Sequence, residues 1–206
     1  MYAKESAKRA FERLTGIGKP SSREAAARVA KRKAWPTTFK DDGLIPNNAT
    51  LPFLRYRNVL VLSEAADPAA VFETLFERNG WGGSWRNGIY DYVHYHPRIH
   101  EVLGIARGRA RVRFGGAQGK TLNLKAGDVV VLPAGTGHQA LAASKDLLVV
   151  GAYPAQGKYD EYEGSPKEHG RAIRMIPKVP LPRRDPVYGA DGPLKHLWKR
   201  KSRKRR

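Results

Sequence analysis

Between Ile89 and Tyr153 the chain is cut into short β-rich runs, Ile89–His94, Glu101–Ile105, Ala110–Phe114, Thr121–Leu124, Asp128–Leu132, His138–Ala142 and Leu147–Tyr153. Glycine-containing turns separate them at a spacing of roughly 8–12 residues, which suits antiparallel strands stacked as a sandwich or barrel and leaves no room for crossover helices. A mainly β fold is therefore expected. Before these runs, Asn58–Ser63 reads as one more buried strand. It is followed by a helix with complete punctuation: Asp67 as cap, Pro68 in the first turn, Val71, Phe72, Leu75 and Phe76 as one apolar stripe, and Asn79-Gly80 as the stop.

The ends differ in character from this middle. Residues 1–35 form a basic helical or disordered arm, with alanine-rich helical stretches over Lys4–Leu14 and Arg23–Lys33 and Ser21 or Ser22 as a cap for the second. After Pro154 come Pro166, Pro177, Pro180, Pro182, Pro186 and Pro193, too many for a sheet interior, so a C-terminal wrap or tail is expected. The domain proper is placed at 36–198, with its core at 58–153, and a basic tail follows at 199–206.

A net charge of +19 suggests nucleic acid until its location is examined. Residues 1–35 carry +7 and residues 195–206 carry +8, which leaves only +4 for residues 36–194. The tails, Lys199–Arg206 above all, are thus the candidates for nonspecific, salt-sensitive contact with nucleic acid, and the domain itself is not. No apolar run is long enough to span a membrane, and Lys4, Lys8, Arg9 and Arg13 interrupt anything resembling a secretory signal, so a cytoplasmic location is expected. Cysteine is absent. That excludes disulfides, a cysteine nucleophile and thiolate ligation, and leaves nitrogen and oxygen to hold any metal.

Four of the six histidines, His94, His96, His100 and His138, lie in or beside two of the β runs. Side chains alternate along a strand, so His94 and His96 share one face and Tyr95 takes the other. The turn at Pro97-Arg98-Ile99 returns a carboxylate, Glu101, on the face of Leu103 and Ile105, and the glycine-rich turn Pro133–Gly137 delivers His138. Three imidazoles and a carboxylate suit one divalent transition metal, Fe, Mn, Ni, Co or Zn, with positions left open for water, substrate or dioxygen. Tyr92 and His100 are the nearby candidates for proton transfer. Trp81, Trp85, Tyr90 and Tyr92 are candidates for the mouth of a pocket.

The same residues resemble the two motifs of the cupin superfamily. Gly88, His94, His96, Glu101 and Gly108 stand at the spacing of the first motif, and Gly127, Pro133, Gly135 and His138 at that of the second. The asparagine that ends the family pattern is Ala142 here. The stretch Trp85-Arg86-Asn87-Gly88-Ile89-Tyr90, with Asp185–Gly189, Gly192-Pro193-Leu194 and Trp198, is similar to the single-domain bacterial cupins of the YjlB-like group. The resemblance implies a double-stranded β-helix, the cupin jelly roll, with His94, His96, Glu101 and His138 as ligands of one ion. It further implies a homodimer and a metal-dependent enzyme acting on a small polar molecule, a dioxygenase-like oxidoreductase ahead of an isomerase or decarboxylase. The competing expectation is a non-catalytic binding module tethered to an acidic polymer by its basic ends.

Overall fold

The computed structural model describes residues 18–63, 65 and 67–199. Lys4–Leu14 and most of the basic tail lie outside them. The first described helix, α1 (Ser22–Ala27), opens on a capping box in which Ser21 and Glu24 satisfy each other's backbone N–H groups. It is shorter than the expected Arg23–Lys33. Beyond Ala27 the backbone extends instead, since Ala30 N–H donates to Val59 O and Val29 bridges Leu60, so the free backbone groups find partners across the chain.

Strand β1 (Ala34–Thr37) pairs with β2 (Phe53–Tyr56), which the alternation did not single out. The strand expected at Asn58–Ser63 is reduced to the Leu60 bridge. Asn58 sits at φ 47°, and the N–H groups of Val59 and Leu60 both donate to Gly127 O, which turns this segment out of the sheet. Asp128 secures the corner by accepting from Asn58 N–H at 2.8 Å and from Arg55 at 3.0 Å.

Helix α2 (Pro68–Arg78) has the expected bounds, with the Asp67 carboxylate accepting from Ala69 N–H at 3.0 Å. Then follow β3 (Trp81–Asn87), β4 (Glu101–Arg107), β5 (Arg109–Phe114), β6 (Lys120–Lys125), β7 (Val129–Leu132), β8 (His138–Ala143) and β9 (Leu148–Pro154). The antiparallel order is β1-β2-β7-β4-β9-β3 in one sheet and β6-β5-β8 in the other, so the chain is mainly β, as expected of a jelly roll. The run Ile89–His94 is not a strand; its place beside β9 is taken by β3, whose Gly82-Gly83 step and bulge hid it from a period-two reading. His94 makes only an isolated bridge, to His138.

Alternation along the strands divides the core in two. Val102, Val129, Val131, Val150 and Ala152 face α2 and the C-terminal wrap, where Phe72, Leu75 and Phe76 pack on them. Leu103, Ile105, Val130, Leu132 and Val149 face the smaller sheet and meet Ala110, Val112, Phe114 and Leu124. Gly104 in β4 lets α2 lie close, because a Cβ there would stand 2.3 Å from the Phe72 ring. The proline-rich end is an ordered wrap: α3 (Pro166–Met175), a 3-10 turn at Ile176–Lys178 and α4 (Leu194–Leu197). No helix among the described residues is long and apolar enough to cross a membrane.

Candidate metal centre

Four segments bring the polar groups into one end of the sandwich. His94 and His138 bond each other's backbones, His138 N–H to His94 O at 2.9 Å and His94 N–H to His138 O at 3.2 Å. His96 lies two residues on, and Tyr95 between them is fully buried on the opposite side, its backbone paired with that of Tyr162. Glu101 begins β4 on the interior face with Leu103 and Ile105, opposite Leu132. The turn before His138 is held by Asn47, whose Nδ2 donates to Gly115 O at 3.1 Å while its Oδ1 accepts from Gly137 N–H at 3.3 Å.

One ligand-capable atom from each of His94, His96 and His138 falls within 4.8 Å of the others, and all three residues are buried. Each imidazole is also oriented. Nδ1 of His94 faces Tyr92 O at 3.4 Å, Nδ1 of His138 faces Thr136 O at 3.3 Å, and Nδ1 of His96 faces Asp160 O. A carbonyl can only accept, so in the neutral form of each ring Nδ1 carries the proton and Nε2 is left with the lone pair, as metal-bound histidines are commonly arranged.

Glu101 Oε2 stands 3.5 Å from His96 Nε2 and 3.4 Å from His138 Nε2, yet it is buried without a hydrogen-bond partner. Three lone pairs and an orphaned carboxylate oxygen facing one another are incompatible with a satisfied apolar core. Among the described residues the close group of ligand atoms comprises the three histidines, which suit a divalent cation, and Glu101 Oε2 lies beside two of them.

Without a cation, burial dictates the protonation. Desolvation, and then the neighbouring His96, press the His94 pKa down to about 4, and desolvation holds His138 well below its ordinary value. Burial raises the Glu101 carboxyl above the usual range. The histidines, with folded pKa values below the unfolded one, contribute stability that is present above about pH 6.5 and lost as pH falls toward the folded values. Glu101 acts in the opposite direction, losing its contribution as pH rises through its raised pKa. With the opposing carboxyl removed in Glu101→Gln, the metal-free protein is expected to lose stability between pH 7 and pH 5, read by urea unfolding at the two values. Equal stability at both would contradict the buried neutral histidines.

A cavity of about 290 Å³ opens over these groups. Its wall includes Trp85, Tyr90, Tyr153, Tyr159 and Glu161. Of the expected mouth residues, Trp85 and Tyr90 line it, whereas Trp81 is buried in the core and donates its indole N–H to Arg184 O. Tyr153, Tyr159 and Glu161 carried no spacing signal in the sequence. Tyr153 stands at the end of β9 beside Glu101, hydrogen-bonds its carboxyl group and accepts from Trp85 Nε1 at 2.9 Å. Burial and Glu101 push the Tyr153 phenol upward, so it stays protonated.

Neither of the two residues expected to move protons lines the cavity. His100 is fully buried outside the cavity wall, where its Nδ1 accepts from Ala134 N–H at 2.9 Å and its ring lies 4.7 Å from that of Trp198. It supports the turn that carries His138. Tyr92 stacks on Tyr90 at 4.8 Å and donates its hydroxyl to Glu161 Oε1 at 3.1 Å. Ala142 is exposed beyond a bulge in β8, so the position that departs from the family pattern faces away from the cavity.

The family model described as a cupin domain matches residues 87–150. The uncharacterized protein YjlB of Bacillus subtilis (strain 168) is 40% identical over 168 residues, which cover 82% of this chain and 98% of that one. Among solved structures, a Bacillus subtilis oxalate decarboxylase studied for its Mn(II) centres is similar at 23% identity and a TM-score of 0.31, over 39% of this chain and 22% of that one. A chain from the crystal structures of the DMSP lyases RdDddP and RnDddQII is similar at 18% identity and a TM-score of 0.31, over 57% of this chain and 46% of that one. With both motifs in place, the relative matched along nearly its whole length and the sheets arranged as described, the chain belongs to the cupin superfamily, in the group of YjlB-like proteins.

Proposed function

We propose that the protein is a metal-dependent enzyme, of the dioxygenase-like oxidoreductase kind, that holds one divalent transition-metal ion through His94, His96, Glu101 and His138 and acts on a small polar molecule in the cavity above them. The observation that carries this reading is the set of three oriented Nε2 lone pairs and the partnerless Glu101 Oε2, gathered at the floor of an open cavity. A bound ion of this class supplies Lewis acidity and, where redox-active, access to dioxygen chemistry. The chain's own groups do the remainder. The carbonyls of Tyr92, Thr136 and Asp160 fix the imidazole protons, Tyr153 orients Glu101, and the aromatic wall excludes bulk water from one side of the floor.

Elemental analysis of the full chain after anaerobic reconstitution with iron, manganese, nickel, cobalt or zinc tests the first half. About one equivalent per chain is expected. Dioxygen uptake during a screen of small acids and phenols tests the second half. Turnover without uptake would move the reaction to an isomerase or decarboxylase, and failure to retain any ion would favour the non-catalytic binding module.

A further inference from the structure

The charges around the cavity are unevenly provided. Arg86 is the one arginine or lysine in its wall among the described residues, and it is committed: its guanidinium forms ion pairs at 2.7 Å with both Asp67 and Glu73, with only 8% of its side chain exposed. An anionic part of a ligand therefore has no free side-chain cation to meet. Glu161, by contrast, presents a carboxylate to the cavity. Tyr92 donates to its Oε1 at 3.1 Å and Tyr159 to its Oε2 at 3.0 Å, so the group is pinned in place from both sides. Around it stand π faces. Tyr90 lies 5.1 Å from the His94 ring, Tyr159 lies 5.1 Å from the His96 ring, and Tyr153 lies 5.4 Å from Tyr159. Aromatic faces beside a fixed carboxylate attract cations, also at a partly exposed seat such as this one.

We propose that the cavity recognises a small molecule bearing a positively charged nitrogen, an amine or quaternary ammonium, held between Tyr90, Tyr159 and Glu161, with its oxygen-bearing end toward the three histidines. Glu161 is the specificity-determining residue. The orientation of the oxygen end rests on the metal reading given above; the cation seat does not, since it is built wholly from residues of the wall.

Two pairs of isosteres separate these readings. In the first, trimethylglycine is compared with dimethylbutanoate, where carbon replaces the charged nitrogen and both members carry a carboxylate. In the second, choline is compared with dimethylbutanol, which removes the carboxylate from both. Binding to the zinc-loaded full chain and to the metal-free full chain is followed by calorimetry. The cationic member of each pair is expected to bind about tenfold tighter than its neutral-carbon isostere. In Glu161→Gln, whose amide oxygen can still accept from a tyrosine, that ratio should fall toward one, with zinc content and melting temperature as the check on an intact site. Equal binding within each pair, no binding of either cation at millimolar concentration, or a preference that survives Glu161→Gln would overturn the proposal. A choline preference in a chain that takes up none of the offered ions on reconstitution would leave the cation seat standing and remove the metal reading.

Discussion

His138→Ala is expected to weaken metal binding by at least about 100-fold, so that the purified variant carries almost none of the ion that the reconstituted wild-type chain retains. Loss of a residue that merely orients a ligand costs about 10–100-fold, and His138 supplies a donor atom itself. The fold should survive. His138 bridges His94 through backbone atoms, which alanine keeps, and its neighbour Gly137 still accepts from Gly115 N–H. The variant also removes an imidazole that is desolvated in the metal-free state, so its metal-free stability should change by no more than about 1.5 kcal/mol. Ala142→Asn is the useful companion, since that position is exposed and its metal content should match the wild type. Elemental analysis beside a thermal melt reads both. Full metal content in His138→Ala would remove this residue from the ligand set.

Asp185→Ala should produce the largest loss of stability. Asp185 is fully buried and accepts four hydrogen bonds, from Tyr56 OH at 2.5 Å, Val187 N–H at 2.8 Å, Tyr188 N–H at 3.0 Å and Leu194 N–H at 3.1 Å. One carboxylate thereby ties the C-terminal wrap to β2. Gly192 packs against it so closely that a Cβ there would lie 2.2 Å from the Asp185 Cβ, which leaves little room for a water molecule to replace the lost oxygens. Removing them strands three backbone donors and one phenol in the interior, at an expected cost of about 4 kcal/mol, a substantial part of the stability of an ordinary domain. The melting temperature should fall by roughly 10 °C. Asp185→Asn keeps one carbonyl oxygen and should recover part of the difference. A loss under about 1 kcal/mol for the alanine variant would mean that the wrap is held by its apolar contacts alone.

The parts of the molecule that were legible in the sequence are those whose signal is local. Pro68–Arg78 announced itself by cap, stripe and stop, and β4 to β9 by alternation between glycine turns. The histidines were legible because two of them stand two residues apart in an extended segment, a spacing that only has meaning if both reach one point. β3 was missed because Gly82, Gly83 and Ser84, with the register shift there, interrupt the alternation between Trp81 and Trp85. The shortening of α1 was illegible for a different reason: Val29 and Ala30 are drawn out of the helix by Val59 and Leu60, about thirty positions later. The same holds for Tyr159, Asp160 and Glu161. Nothing in a Tyr-Asp-Glu-Tyr run marks it as part of a site, and only the return of the chain across Tyr95 brings it there. His100 shows the converse error, in which sequence proximity to Glu101 suggested chemistry while the ring turned to brace the Pro133–Gly137 turn.

The bond between His96 and the carbonyl of Asp160 has a consequence for the order of assembly. All four proposed donors precede residue 139, yet one imidazole is oriented only after the segment following β9 has crossed back and paired Tyr162 with Tyr95. A chain emerging from synthesis thus exposes every donor before it can hold their geometry. The proposed centre is complete only once residues 160–162 are in place, so an ion held there would be met by a chain extended at least that far.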